Sequence, residues 1–140
     1  FIIDEYQIYE ARAMAADCIL LIVSALTEEQ LGHLHQVALS LGMDVLIEVH
    51  DAAELEVALK FDNPMVGINN RNLHSFDVSL ENTYQLLDQI PDGKIVITES
   101  GINSREDVAA MAAKSVHAFL VGEAFMRSPE PGERLSEMFS

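Results

Sequence analysis

Runs of isoleucine, leucine and valine recur along the chain at residues 18–23, 45–49, 65–68, 95–98 and 118–121. Each run is nearly continuous rather than alternating with polar residues, the pattern of parallel strands covered on both faces. Amphipathic segments with helix-start signals lie between them. Thr27-Glu28-Glu29-Gln30 is a capping box, in which hydroxyl and amide each satisfy a backbone donor. Leu31, Leu34, Ala38 and Leu41 then form one apolar face, and Gly42 suits a left-handed stop. Asp51-Ala52-Ala53-Glu54 opens the next helix in the same way, turning Leu55, Ala58 and Leu59 inward. Ser79 stands ahead of Leu80, Thr83, Tyr84 and Leu87, and Ser104 ahead of Val108, Met111 and Ala112. Pro131 fits the first turn of a last helix carrying Leu135 and Met138. Tyr6, Tyr9, Ala13 and Ala16 mark a helix starting near Asp4, and Phe1-Ile2-Ile3 resembles the end of a strand whose beginning is missing. The prediction is an α/β chain: one helix, then five parallel βα units, in a single domain over residues 1–140 without a linker.

Polar residues collect where the predicted strands end. Ser24 closes the first, and Glu48 and His50 the second. Asn69-Asn70-Arg71-Asn72 follows the third, Glu99-Ser100-Gly101 the fourth and Gly122-Glu123 the fifth. In parallel α/β folds this rim faces one crevice and builds the active site. Glu48, embedded in Leu46-Ile47-Glu48-Val49, needs a purpose or a partner if buried. It is either a chemical group or a structural acid paired with Arg71 or Lys94. Asn69–Asn72 reads equally as a polar turn. Gly101 and Gly122 serve turn geometry, or let backbone N–H groups approach a phosphate.

Composition narrows the chemistry. The formal net charge of −15 repels a phosphate backbone, so nucleic acid is a poor partner. An anionic substrate would have to be held by Arg71, the one basic residue placed at the rim, and by backbone amides. No apolar segment approaches the ~20 residues that span a bilayer, so no membrane is expected. A lone cysteine, Cys18, reads as a buried core thiol in a reducing cytosol. His33, His35, His50, His74 and His117 share no metal-ligand spacing, and no metal or cofactor is expected. Met43, Met65, Met111, Met126 and Met138 read as core filler.

Three segments carry a resemblance: Asp44-Val45-Leu46-Ile47-Glu48-Val49-His50-Asp51, Val66-Gly67-Ile68-Asn69-Asn70-Arg71-Asn72-Leu73 and Ile97-Thr98-Glu99-Ser100-Gly101-Ile102. Together they resemble successive strands of indole-3-glycerol-phosphate synthase, a (βα)₈-barrel enzyme of tryptophan biosynthesis. Phe119-Leu120-Val121-Gly122-Glu123-Ala124-Phe125-Met126 is similar to its eighth strand and phosphate loop, and residues 1–9 to its third strand's end and third helix. The resemblance implies a partial (βα)₈ barrel, from the end of strand three to helix eight. It implies a lyase that closes the indole ring of 1-(2-carboxyphenylamino)-1-deoxyribulose 5-phosphate, releasing CO₂ and water. Glu48 takes the general-base position. Asn69 and Arg71 orient and hold the substrate, Glu99 and Ser100 position the anthranilate end and the acid, and Gly101, Gly122 and Glu123 lie in loops that offer backbone amides to the phosphate.

The departures are as informative. The family's strand-one Glu, Lys and Ser-Pro-Ser, and a general-acid Lys just ahead of the Phe that is Phe1 here, have no counterpart in these residues. The expectation is a truncated chain, inactive alone, that self-associates through the open side of its barrel. A receiver-like signalling module would need aspartates after its first and third strands, where Val23-Ser24 and Asn69-Asn70 stand. An inert half-barrel shares every residue with the enzyme reading.

Overall fold

Strands form where the apolar runs stand, each shifted by at most a residue. In the computed structural model, which describes residues 1–72 and 75–140, they are β1 (Cys18–Ile22), β2 (Asp44–Val49), β3 (Met65–Asn69), β4 (Ile95–Glu99) and β5 (Ala118–Leu120). Leu73, in one of the resembling segments, and His74 lie outside the described residues. All five strands are parallel and pair in chain order, β1-β2-β3-β4-β5. Helices α1 (Glu5–Ala13), α2 (Glu28–Ser40), α3 (Ala52–Ala58), α4 (Glu81–Leu87), α5 (Arg105–Ala112), α6 (Glu123–Met126) and α7 (Pro131–Phe139) alternate with them. This is the arrangement of a partial (βα)₈ barrel, as the sequence predicts.

Period-two alternation gives the sheet two different faces. Ile19, Leu21, Val45, Ile47, Val49, Val66 and Ile68 point one way and bury against Ile8, Leu31, Leu34, Ala38, Leu55 and Leu86 of the helices. Cross-strand register puts Leu20, Ile22, Leu46, Glu48, Gly67, Asn69, Ile97, Glu99 and Leu120 on the other face. That face lines a broad concavity bordered by Phe1, Ile2 and Ala11, instead of lying under a second helical layer. A second apolar cluster, Ile102, Met111, Val116 and Met138, seats α5 and α7 below β5.

Most caps are where the sequence puts them. Thr27 and Gln30 form the reciprocal box on α2, Ser104 and Asp107 that on α5, and Pro131 opens α7. Gly42 takes φ +73° just past α2. The box expected on α3 is half-formed: Asp51 accepts from the Glu54 N–H, but the Glu54 carboxylate accepts instead from the His50 N–H at 2.7 Å. Leu80 rather than Ser79 precedes α4; the Ser79 carbonyl accepts from the Asn82 N–H, and its own N–H donates to the Asn70 carbonyl.

Several expected core positions lie outside. Cys18 is exposed, because it begins the edge strand β1 on the concave side, opposite Asp44. α1 buries Ile8, while Tyr6 and Tyr9 face solvent. Met126 is 85% exposed at the end of α6, a short helix that the apolar pattern does not announce. Leu135 is half-exposed, and α7 buries Met138 alone.

If the helix-facing layer carries the stability, Leu21→Ala should cost about 2–5 kcal/mol, since Leu21 is fully buried. Urea melts would show a lowered midpoint with an unchanged slope.

Candidate active site

The C-terminal ends of β2, β3 and β4 bring three polar side chains onto the concave face. Register pairs Glu48 with Gly67 and Asn69 with Glu99, so both acids and the amide occupy neighbouring rows. All three are buried. The Asn69 Nδ2 donates to Glu48 Oε1 at 2.8 Å, and the Asn69 Oδ1 accepts from the Arg71 backbone N–H at 3.0 Å. The turn after β3 therefore fixes the amide that orients Glu48. Neither cation considered from sequence pairs with this acid: Arg71 meets Glu123 at 2.5 Å, and the Lys94 ammonium donates to the Asn63 carbonyl at 2.7 Å.

Glu99 has no cation in contact among the described residues. Burial raises its pKa to about 8, helped by the negative charge of Glu48 and a hydrogen bond between the two carboxyls. The pair accordingly holds a proton at neutral pH. Two carboxyls in unlike surroundings, one accepting from an amide and one keeping its proton, are equipped for proton transfer.

A separate, smaller recess of about 70 Å³ opens beside them, lined by Arg71, Ser100, Gly101, Asn103, Gly122 and Glu123 among others. Ser100 and Gly101 both have left-handed backbones, φ +63° and +79°. At Gly101 a side chain is doubly excluded, since a Cβ would lie 2.7 Å from Val78 Cγ1. Gly122 is different: a Cβ there would meet nothing within 4 Å, so the protein's own packing does not demand glycine. Glu123 bridges Arg71 and Arg127, the latter at 2.7 Å.

The eight residues singled out from sequence thus fall into two groups. Glu48, Asn69 and Glu99 form the acid cluster, while Arg71, Ser100, Gly101, Gly122 and Glu123 line the recess. Ser24, on a 3₁₀ turn after β1, is exposed and lines neither. His50 is half-buried, its Nδ1 2.9 Å from the Asn69 carbonyl. Sequence reasoning placed Asn70 at the rim and Thr83 on its helix, but not the frame they build behind the site with Asn82 and Thr98. Asn70 Nδ2 donates to Thr98 Oγ1 at 2.8 Å and to the Ser100 carbonyl at 3.1 Å, and its Oδ1 accepts from Thr83 Oγ1 at 2.8 Å. Asn82 Nδ2 donates to the carbonyls of His50 and Asn69, both at 2.8 Å. The available signal was Thr98, a hydroxyl inside the apolar run Ile95-Val96-Ile97.

The family model described as indole-3-glycerol phosphate synthase matches residues 1–138. A protein of that name in Aromatoleum aromaticum is 60% identical over 139 residues, covering 99% of this chain and 53% of the relative. Another, in Delftia acidovorans, is 56% identical over 140 residues, covering 100% of this chain and 52% of the relative. The chain therefore spans about half the length of the curated relatives it matches. Among solved structures, one described as native KDPGal has a TM-score of 0.71 at 17% identity, covering 98% of this chain and 61% of that one. KGPDC from Streptococcus mutans has a TM-score of 0.69 at 13% identity, covering 96% and 64%. At those identities the likeness is one of fold.

The raised Glu99 pKa has a consequence for folding. Between an unfolded value near 4.5 and the folded value of about 8, the folded chain binds a proton that the unfolded chain does not. The Glu99 contribution to stability is therefore largest below pH 4.5, falls as pH rises to about 8, and is flat above. At about 1.4 kcal/mol per unit the loss is a few kcal/mol. Urea melts from pH 5 to 9 should show this decline, and Glu99→Gln should flatten it.

Proposed function

The chain belongs to the indole-3-glycerol phosphate synthase family, and from that premise we propose that its rim supplies the base and the phosphate cradle of an indole-forming site. The observation that carries the reading is the buried Glu48–Asn69–Glu99 cluster standing next to the Arg71 recess. The substrate is 1-(2-carboxyphenylamino)-1-deoxyribulose 5-phosphate. Its aromatic carbon attacks the ketose carbonyl, CO₂ leaves to restore the ring, and loss of a proton and water completes the indole. Glu48 removes the proton, held in aim by the Asn69 amide. Glu99 and Ser100 position the anthranilate end. Arg71 and the loop backbones at Gly101, Gly122 and Glu123 take the phosphate, for which the open space at Gly122 leaves room. A phosphate entering the recess would draw the Arg71 guanidinium from Glu123, which retains Arg127. A cytosolic location goes with this reading; among the described residues no helix is long and apolar enough to cross a membrane.

By the family resemblance the acid that protonates the ketose oxygen is a lysine, and none of the chain's own lysines stands at the rim. Lys60 pairs with Glu28, Lys94 with the Asn63 carbonyl, and Lys114 is exposed. By the family resemblance a lysine outside the 140 residues does this work. Fusing the chain to the part of the Aromatoleum relative that it does not cover should give turnover, followed by indole fluorescence. Glu48→Gln in that fusion should lower kcat by ~10²–10⁴-fold, and the 140 residues alone should be far slower than the fusion. Full activity of the Glu48→Gln fusion would place the base elsewhere.

A second proposal concerns self-association. Among the described residues no further strand pairs with the edges of β1 and β5, and Phe1 is 83%, Ile95 52% and Leu120 49% exposed. Unpaired edges beside an apolar concavity favour a second copy of the chain as cover. The melting temperature should rise with protein concentration; light scattering that finds a monomer at ~100 μM, with concentration-independent melting, would remove this proposal.

A further inference from the structure

Gly67 stands in the middle of β3, and its backbone gives no reason for glycine, since the left-handed glycines of the described chain are Gly42, Gly93 and Gly101. Its surroundings do. A Cβ at this position would lie 2.0 Å from Glu99 Oε1, 3.2 Å from the carboxyl carbon Cδ and 3.3 Å from Leu46 Cδ1. The leucine tip can rotate aside by a few tenths of an ångström. The carboxyl oxygen cannot share space with a carbon at 2.0 Å. Gly67 is also the register partner of Glu48 on one side and of Ile97 on the other, so the gap opens in the strand that separates the two acids.

We infer that Gly67 is a positioning residue, whose missing side chain is the slot that holds the Glu99 carboxyl against Glu48. A second observation agrees. Glu99 Oε1, the oxygen that enters the slot, is buried and has no hydrogen-bond partner among the described residues. A buried carboxyl does not adopt such a place to satisfy its oxygens, because water on the concave side would do so better. It is held there by the space, and the space is set by residue 67. Any side chain there turns Glu99 out of the row towards the concavity, separates it from Glu48 and rehydrates it. The inference deepens the acid–base reading of these residues and rests on it for its catalytic consequence. The placement itself stands on distances.

The test reads proton binding and folding in the 140-residue chain, so it needs no turnover. Carboxyl carbons of ¹³C-labelled glutamate would be titrated by NMR in the wild type and in Gly67→Ala, with Glu99→Gln assigning the resonance. Melting curves would be taken for Gly67→Ala, Glu99→Ala and the double variant. The Glu99 midpoint should fall from about 8 towards the ordinary value of 4.5 in Gly67→Ala. The Tm loss from Gly67→Ala, about 5 °C or more, should vanish in the Glu99→Ala background, where no carboxyl occupies the slot. If Gly67→Ala does not fold, a folded double variant supports the same conclusion. An unchanged Glu99 midpoint, a Tm loss undiminished by Glu99→Ala, or a double variant that also fails to fold would overturn the inference and leave the acid pair standing. A wild-type midpoint near 4.5 would overturn the inference and the acid-pair reading together.

Discussion

Two carboxyl groups buried side by side cannot both carry a charge without a cation or a rich set of donors. Glu48 and Glu99 meet this constraint in unlike ways. Glu48 is given an amide donor, Asn69 Nδ2, which is itself fixed by the backbone of Arg71. Glu99 is given space at Gly67 and keeps a proton. Arg71, the guanidinium at this rim, is engaged by Glu123 and leaves the acids to each other. Removing either solution would push the pair apart or into solvent. The polar residues at the ends of β3 and β4 are thus parts of one electrostatic arrangement.

That arrangement depends on a sheet with two unlike faces. The helix-facing residues of β1, β2 and β3, from Ile19 to Ile68, are apolar and seal one side, with Thr98 of β4 the polar member beside Ile68. Freed from packing helices, the concave row can mix Leu20, Ile22, Leu46 and Ile97 with Glu48, Asn69 and Glu99. Strands apolar on both sides imply cover on both, yet the described helices cover one side. The apolar residues of the open side shelter the acids and raise the Glu99 pKa by desolvation, while exposing Leu120 and Ile95.

What could be read in the sequence divides along the range of the forces involved. Caps and stops were legible at Thr27, Gly42, Ser104 and Pro131, because a cap bonds within a few residues of itself. The order of strands was legible because near-continuous Ile, Leu and Val leaves little choice but parallel pairing. The helix marked by Tyr6 and Tyr9 formed from Asp4 onward, but Cys18, Met126 and Leu135 were misplaced, since what covers an apolar residue is decided by elements distant in sequence. The same limit applied to the site. Residue types at the strand ends announced themselves, but the partner of Glu48 did not. Arg71 and Lys94 were the plausible cations by charge, and an amide on the neighbouring strand took the place. Gly67 was invisible for the same reason: its importance lies in an oxygen 32 positions away, at Glu99.

The two groups of site residues are joined by the chain itself. At the end of β4, Glu99 points into the acid cluster, and the next two residues, Ser100 and Gly101, turn left-handed into the recess. At the end of β3, Asn69 aims Glu48 and Arg71 reaches the recess two residues on. Between these ends lies Asn70, whose amide nitrogen binds Thr98 and the Ser100 carbonyl while its oxygen accepts from Thr83. This buried network ties β3, β4 and α4 at the level where both groups begin. A change in the Asn70 amide would therefore shift the recess and the acids together. A molecule that placed an anion in the recess would have its reactive part set against the acids by the same three elements. On the proposed reading, binding of the substrate's negative group in the recess would be coupled to alignment of its reacting atoms at the acids.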